Sequence, residues 1–467
     1  MYSRSSIYLV IIFAFFSSIL LSSHYVSKYD HLKVNADGSK SHRMLKLAIS
    51  NSWSEADSIL KDIKSGKKYF ESGQKQYDEF LPQKLLVLYY YVAGYEISDS
   101  NMDFKTDNGK LTYLIIKTLL YYLSLYYLLK KILVIFPAKN CFFIILFLAF
   151  EPTIFQYHSS FWNESLFLPF QIFFLALLLT QSEKILNNFF IGFILGIMFT
   201  ISQEIFLYII PLLLYYFLFY KKKSIKPVLS VTIGYLLVLG IIGFHNYKKI
   251  GEPIIMPGGS KTALYVYFAP EILAAKNNLS ATQARKLMKE KTKTWIEKKN
   301  INVTIHEDGS YELIGGSTKD RNKYYNYLQK ESLNIILKNP IISFKYFFKQ
   351  SLHTVTLDPV YINYLYQFDA RGKNKYYGSE THKKWIPIRI GYSLIIYLII
   401  FFGVIYSWRS TNKGIIFLLV LSASYSLATL GWMGIPRYFL PSLIFLSIFF
   451  GNGMATILNV NRLNNLK

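Results

Sequence analysis

The run LTYLIIKTLLYYLSLYYLLKKILVIF (residues 111–136) is followed, after a short turn, by the run NCFFIILFLAFEPTIFQY (140–157). A helix of about 20 apolar residues crosses the hydrocarbon core of a membrane, so the first run is long enough and the second nearly so. Eight more apolar runs occupy residues 7–23, 163–181, 186–201, 203–220, 227–245, 388–407, 414–432 and 437–456. This pattern predicts a mainly α fold, a polytopic transmembrane bundle of about ten helices, within a range of roughly nine to thirteen.

Basic residues lie in every second turn between these runs, and also at the C-terminal end. They are Lys130, Lys131, Lys139, Lys184, Lys221, Lys222, Lys223, Lys226, Arg409, Lys413, Arg462 and Lys467. Short cytoplasmic turns of membrane proteins are enriched in Lys and Arg, which predicts that these turns are cytoplasmic. The same alternation places both termini in the cytoplasm. The other turns, where most carboxylates near a span are found, are predicted to be extracytoplasmic.

The alternation divides the chain into three predicted parts. Residues 1–245 form an N-terminal transmembrane module, whose extracytoplasmic loop 24–110 carries amphipathic interfacial helices, with the strongest helical periodicity from Met44 to Ile63. Residues 246–387 form a soluble extracytoplasmic insertion, and residues 388–467 form the C-terminal transmembrane helices. Within the insertion, helices are predicted at 282–298, 320–337 and 340–354 and a β-hairpin at 302–314, which makes it a small α+β domain.

Composition narrows the class of protein further. The chain is 52% hydrophobic, and its formal net charge is +24. Such a charge can indicate nucleic-acid binding, but here the basic residues are spread over turns and long outer segments, and no nucleic-acid-binding motif accompanies them. Membrane lipids are the predicted partners of this charge instead. The only cysteine is Cys141, which excludes an internal disulfide and a cysteine-based metal site.

Five stretches in order resemble the GT-C class of membrane glycosyltransferases, and in particular the bacterial relatives of protein O-mannosyltransferases and lipid A aminoarabinose transferases. They are EPTIFQYHSSFWNESLF (151–167), IGFILGIMFTISQEIFLYIIP (191–211), FHNYKKIGEPI (244–254), LKNPIISFKYF (337–347) and PRYFLPSLIF (436–445). The resemblance implies a multi-pass bacterial cell-membrane enzyme with an extracytoplasmic active site. It implies a polyprenyl-phosphate-linked sugar donor and a glycan, lipid or protein acceptor. No cofactor is firmly implied.

Glycosyl transfer to a hydroxyl requires a carboxylate that accepts the proton of the attacking group. The resemblance places this base in the first outer loop, where residues 48–51 are not acidic and the nearest carboxylates are Glu55 and then Asp57. Both are candidate catalytic residues. The alternative is that they belong to the solvated face of an interfacial helix.

Glu164 is a further catalytic candidate, because it begins an apolar run, where an ionisable residue is costly and usually functional. Its alternative role is to compensate the dipole at the helix N-terminus. Glu151 is a possible second acid or a partner of the base, and His158 is a possible supporting residue or a structural one. Glu151, His158 and Glu164 together are a conceivable divalent-metal site.

A departing lipid phosphate requires a cation nearby. Arg437 is the only basic residue in a short outer turn and is followed by Tyr438, as in the family, so both are candidates for binding the donor phosphate. A salt bridge to Glu164 or Glu204, or snorkelling to the interface, is the alternative for Arg437. Lys248 and Lys249 are candidate assistants.

Two further positions depart from the family pattern. Gln203 stands where the family frequently has Arg, and His245-Asn246 replaces an Arg-Asn pair. Gln203 and Glu204 are retained as possible supporting residues. With the missing acid at 48–51, these departures keep a second hypothesis open, a non-enzymatic membrane protein such as a transporter or a GT-C-like assembly partner that has lost catalysis.

Overall fold

The protein is a mainly helical, membrane-embedded chain, seen here in a computed structural model. The residues that the structure describes are 3–28, 107–158, 164–180, 184–202, 205, 208–250, 253, 255, 262–305, 313–314, 318–357, 380–410, 413–430 and 439–464. For some of these residues only the backbone is described.

The apolar helices fall into two groups along the chain. The first group comprises α1 (Arg4–Lys28), α2 (Asp107–Ile135), α3 (Ala138–Phe150), the short α4 (Pro152–His158), α5 (Glu164–Thr180), α6 (Ile185–Ile201), α7 (Ile209–Tyr220) and α8 (Ile225–Ile250). After the insertion follow α13 (Glu380–Ser410), α14 (Lys413–Leu430) and α15 (Leu440–Asn464). Buried side chains from both groups form one continuous apolar core.

Five of the described helices are long and apolar enough to cross a membrane, with apolar parts at Arg4–Ser23, Leu111–Ile135, Ile225–His245, Ile386–Arg409 and Leu440–Asn459. Five shorter apolar helices of 10–17 residues accompany them, at Ala138–Phe150, Ser165–Thr180, Ile185–Ile201, Ile209–Tyr220 and Lys413–Thr429. Each predicted run overlaps one of these ten apolar helices.

Glycines allow helices α6 and α8 to approach until their backbones touch. A Cβ atom at Gly192 of α6 would lie 1.9 Å from the carbonyl oxygen of Val231 on α8, and one at Gly234 of α8 would lie 2.2 Å from that of Phe189 on α6. Helices in membranes associate through such small residues because lipid supplies no hydrophobic force to press them together.

The insertion forms a second, smaller apolar core. Its helices are α9 (Ala269–Asn277), preceded by a π-helical turn at Leu264–Phe268, then α10 (Ala281–Lys298), α11 (Thr318–Lys338) and α12 (Pro340–Val355). Strands β1 (Thr304–Ile305) and β2 (Leu313–Ile314) pair antiparallel, with Thr304 opposite Ile314. The pair lies within the stretch whose alternation predicts a hairpin. Ser280 caps α10 in a capping box with Gln283, which explains where that helix begins.

The helices differ from the predicted runs in three ways. The run 140–157 is broken after Phe150, because Glu151 and Pro152 end α3 and start α4. Helix α8 continues to Ile250, past the predicted boundary at 245, and α13 begins at Glu380, before the predicted 388. Hydropathy detects only the apolar part of a helix, whereas the hydrogen-bonded backbone continues into polar residues.

Candidate functional site

Several ionisable side chains are buried inside the apolar bundle. Lys117, Glu151, His158 and Arg389 all have less than a tenth of their surface exposed. Burying such groups is expensive, so they are rare inside membrane proteins and usually mark a functional path or a structural pair. The hydrogen-bond and ring partners of each side chain indicate which of these two cases applies to it.

Glu151 occupies the break between α3 and α4, and its carboxylate has three hydrogen-bond donors. The backbone N–H of Ile154 donates to Oε2 at 2.8 Å, and the Thr153 hydroxyl donates to Oε1 at 3.0 Å. The Tyr392 hydroxyl on α13 donates to Oε1 at 3.3 Å. Glu151 therefore acts as the cap of α4 and also ties α4 to α13.

His158 ends α4 inside a cage of aromatic rings. Its ring stacks on Tyr121 of α2 with a centroid distance of 4.2 Å and an interplanar angle of 5°, and it meets Tyr122 and Phe155 edge-on. The Tyr121 hydroxyl donates to the carbonyl of Leu148 at 2.5 Å. These contacts fix the far end of α4 against α2, which favours a structural role for His158.

Lys117 lies one helical turn before Tyr121 on α2. Its ammonium group donates to the Ser165 hydroxyl at 2.6 Å and lies 4.9 Å from the centroid of the Tyr113 ring. Ser165 is the second residue of α5, directly after Glu164. The structure therefore brings a buried cation to the helix end at which Glu164 stands.

Arg389 lies on α13, three residues before Tyr392 and thus on the same side of the helix. Its carbonyl accepts a hydrogen bond from the Ser393 hydroxyl at 2.7 Å, and that hydroxyl accepts one from the backbone N–H of Leu357 at 2.9 Å. The segment that follows α12 is therefore held against α13 beside Arg389.

These contacts gather the buried ionisable groups at one end of the bundle. Lys117 is joined to Ser165 on α5, Tyr121 to His158 on α4, and Glu151 to Tyr392 on α13. Since α4 is only 7 residues long, its two ends are about 10 Å apart. The arrangement provides two buried basic side chains, Lys117 and Arg389, which are suited to binding an anionic group, near a carboxyl group whose oxygens already accept hydrogen bonds.

Most of the predicted site residues are outside the part of the chain whose side chains the structure describes. Glu55, Asp57, Gln203, Glu204, Arg437 and Tyr438 are outside the described residues, and for Glu164 and Lys249 only the backbone is described. Lys248 is exposed, with its ammonium group 4.8 Å from the centroid of the Phe244 ring. Of the predicted set, Glu151 and His158 are therefore the members whose contacts within the cluster are seen.

The sequence interpretation missed Lys117, Arg389 and Tyr392. For Lys117 a signal was available, since it is a charged residue inside the apolar run 111–136, and such residues are candidates by default. Arg389 and Tyr392 begin a long run, where a basic residue is equally typical of an interfacial anchor. Only its hydrogen bond to Glu151 distinguishes Tyr392 from the many other aromatic residues of the chain.

Within the described side chains, no three His, Cys, Asp or Glu residues are grouped so that they could hold a metal ion. The side chain of Glu164 is not among them, so the conceivable site with Glu151 and His158 remains a hypothesis. No protein-family model matches this sequence, and neither does any curated protein.

Proposed function

We propose that the protein is an integral membrane glycosyltransferase that moves a sugar from a polyprenyl-phosphate donor to a hydroxyl of a glycan, lipid or protein. The observation that carries the proposal is that Lys117, Glu151 and Arg389 are buried and are connected through Ser165, His158 and Tyr392 at one end of the bundle. A lipid-linked phosphate would place its charged group at this end of the bundle and its tail in the hydrocarbon. The five GT-C-like stretches point to the same chemistry.

Each group in the cluster has a specific role in this proposal. Lys117 and Arg389 bind the phosphate of the donor, together with Arg437, and stabilise the charge that develops as it leaves. Glu164, or Glu55 or Asp57, accepts the proton of the acceptor hydroxyl. The acceptor oxygen forms a bond to the anomeric carbon while the bond from that carbon to the phosphate oxygen breaks. The lipid phosphate leaves with the electron pair.

Glu151 has a positioning role in this scheme. Its three hydrogen-bond donors already occupy both carboxylate oxygens, so it is a poorer general base than a carboxylate with a free lone pair facing the acceptor. It holds α4 and α13 together, and α13 carries Arg389. Loss of this carboxylate would displace the phosphate-binding cation.

The proposed topology has ten membrane crossings, both termini in the cytoplasm and the cluster at the extracytoplasmic side of a bacterial cell membrane. Lys139, in a turn predicted to be cytoplasmic, donates to the carbonyl of Ala455 at 3.1 Å and to the side chain of Asn459 at 2.7 Å. These partners lie near the end of α15, which the alternation also assigns to the cytoplasmic side.

Binding and transfer by the purified full-length protein in lipid nanodiscs test the proposal. Polyprenyl phosphate alone is titrated into the wild type and into the variants Lys117→Met and Arg389→Gln. Hydrogen bonds to charged groups contribute about 1.5–3 kcal/mol, so each variant should bind roughly ten- to a hundredfold more weakly. Lys286→Gln is the matched control, because Lys286 is an exposed lysine of the insertion.

Transfer is then measured with a panel of radiolabelled polyprenyl-phosphate sugars and cell-envelope acceptors. Full product formation with wild type and Lys286→Gln, and formation at least tenfold slower with Lys117→Met and with Arg389→Gln, is the expected outcome. Equal binding by all four proteins would refute the phosphate site. Tight phosphate binding without any product would favour the non-enzymatic alternative.

A further inference from the structure

Helix α12 of the insertion turns its apolar side chains outward. Ile341, Phe344, Phe348 and Leu352 are 70%, 68%, 56% and 53% exposed. At 100° per residue these four positions fall within an arc of roughly 80° and form one continuous stripe. An exposed apolar stripe of this length is unusual on a surface that faces water.

The rest of the same helix packs inward with a mixed surface, in which Ile342, Tyr346 and Phe347 are half-buried among polar residues. Ser343, Ser351 and Thr354 are the buried residues of α12. The Ser343 hydroxyl donates to the carbonyl of Ile336 at 3.0 Å. A helix on a water-facing domain would keep its most exposed positions polar. Helix α12 instead exposes four large apolar side chains, as expected of an element whose outer surroundings are apolar.

Charge and connection both identify the membrane as those surroundings. Lys345 and Lys349 are exposed beside the stripe, where they can reach anionic headgroups. The end of α12 is also joined to α13, because the Tyr397 hydroxyl donates to the carbonyl of Val355. Tyr397 lies within Ile386–Arg409, one of the parts long and apolar enough to span a membrane.

We propose that α12 is embedded in the outer half of the membrane, with its C-terminal end reaching inward along α13, its apolar stripe among the lipid acyl chains, and Lys345 and Lys349 reaching towards the headgroups. The insertion is then held at the membrane surface next to the segment that packs beside Arg389. This inference depends on the membrane embedding of the chain and on the geometry of α12. It does not depend on the proposed transferase activity, and the test below needs no substrate.

Site-directed spin labelling of the full-length protein in vesicles tests the orientation. Cys141 is the only cysteine, so Cys141→Ala provides a cysteine-free background. A nitroxide is then placed at Phe348→Cys on the stripe, at Leu394→Cys on the exposed apolar surface of α13 and at Lys286→Cys on α10. Collision rates with oxygen, which concentrates in lipid, and with a water-soluble nickel complex report the surroundings of each label.

The label at Phe348 is expected to match the one at Leu394, with frequent oxygen collisions and a loss of nickel collisions relative to Lys286. A pattern equal to that of Lys286 would place the stripe in water and overturn the proposal. Protection from both reagents would mean that another protein surface covers the stripe, which also overturns it. A second label at Phe344→Cys repeats the measurement if Phe348→Cys does not fold.

Discussion

Replacing Gly403 by Ala should force helices α13 and α15 apart and lower the free energy of unfolding. A Cβ at Gly403 would lie 1.7 Å from the carbonyl oxygen of Phe449, and one at Gly453 on the facing helix would lie 2.0 Å from that of Ile399. The two glycines thus interlock, and each backbone fills the space that a side chain would need. Helix α13 also carries Arg389 and Tyr392, so the consequence extends to the site.

The magnitude follows from this geometry. The new Cβ would lie about 1.7 Å closer to the Phe449 carbonyl oxygen than the 3.4 Å at which ordinary contact begins. Because that oxygen belongs to the backbone, it cannot move aside alone, and the two helices must separate. Overpacking of this kind costs roughly 1–3 kcal/mol. Separation also weakens the 2.8 Å hydrogen bond from Asn452 to Ser407, one turn away, at about 0.6 kcal/mol. The higher helix propensity of Ala offsets about 1 kcal/mol.

Gly391→Ala is the matched control on the same helix. Beyond its chain neighbours and the helix's own nearby backbone, no atom of the described residues lies within 4 Å of a Cβ built there, so this variant gains helix propensity without a clash. The free energies of unfolding of the two variants should therefore differ by roughly 2–4 kcal/mol, or about 30- to 700-fold in the unfolding equilibrium.

Unfolding in mixed micelles by increasing fractions of dodecyl sulfate, followed by circular dichroism, measures this difference. Gly403→Ala should unfold at a lower fraction than the wild type, and Gly391→Ala at an equal or higher one. Equal midpoints for the two variants would show that α13 and α15 do not touch through these glycines and would refute the packing described above.

Three further predictions concern the site and the polar contacts of the bundle. Ala in place of Glu164 or of Arg437 should abolish sugar transfer without loss of membrane insertion, measured by product formation and carbonate extraction; activity in both variants would remove their assigned roles. Tyr392→Phe deletes one hydrogen bond to Glu151 and should lower the free energy of unfolding by about 1 kcal/mol in the micelle assay, and an unchanged midpoint would contradict that contact. Asn452→Leu removes the side-chain bonds that join α3, α13 and α15 and should cost about 1–2 kcal/mol, whereas a more stable variant would show that these bonds contribute nothing.

The positions of the apolar helices were predictable because hydropathy over a long window is a local property. The apolar part of α8 ends at His245, where the run 227–245 was predicted to end. The break at Glu151 was less visible, since a single Glu-Pro pair inside the run 140–157 is a weak signal. In the structure that pair ends α3, and the Glu151 side chain caps α4.

The candidate site was predictable only in part, for a physical reason. Glu151 and His158 stood out because ionisable residues near apolar runs are conspicuous in the sequence. Their partners Tyr392 and Tyr121 did not, because aromatic residues occur throughout this chain and pairing across helices leaves no local pattern. The exposed stripe of α12 is similar. Its periodicity identifies an amphipathic helix, but only the packed structure shows which face is turned outward.

The sequence alone therefore determined the class of the protein, since a membrane-spanning helix must satisfy its backbone within itself and be apolar over its length. It also indicated which end of each helix is basic. The tertiary structure decided which side chains meet. It brought Lys117 to Ser165 and Glu151 to Tyr392, contacts between helices distant in the chain. Such contacts depend on helix rotation and tilt, which are set by close packing such as that of Gly403 against Phe449.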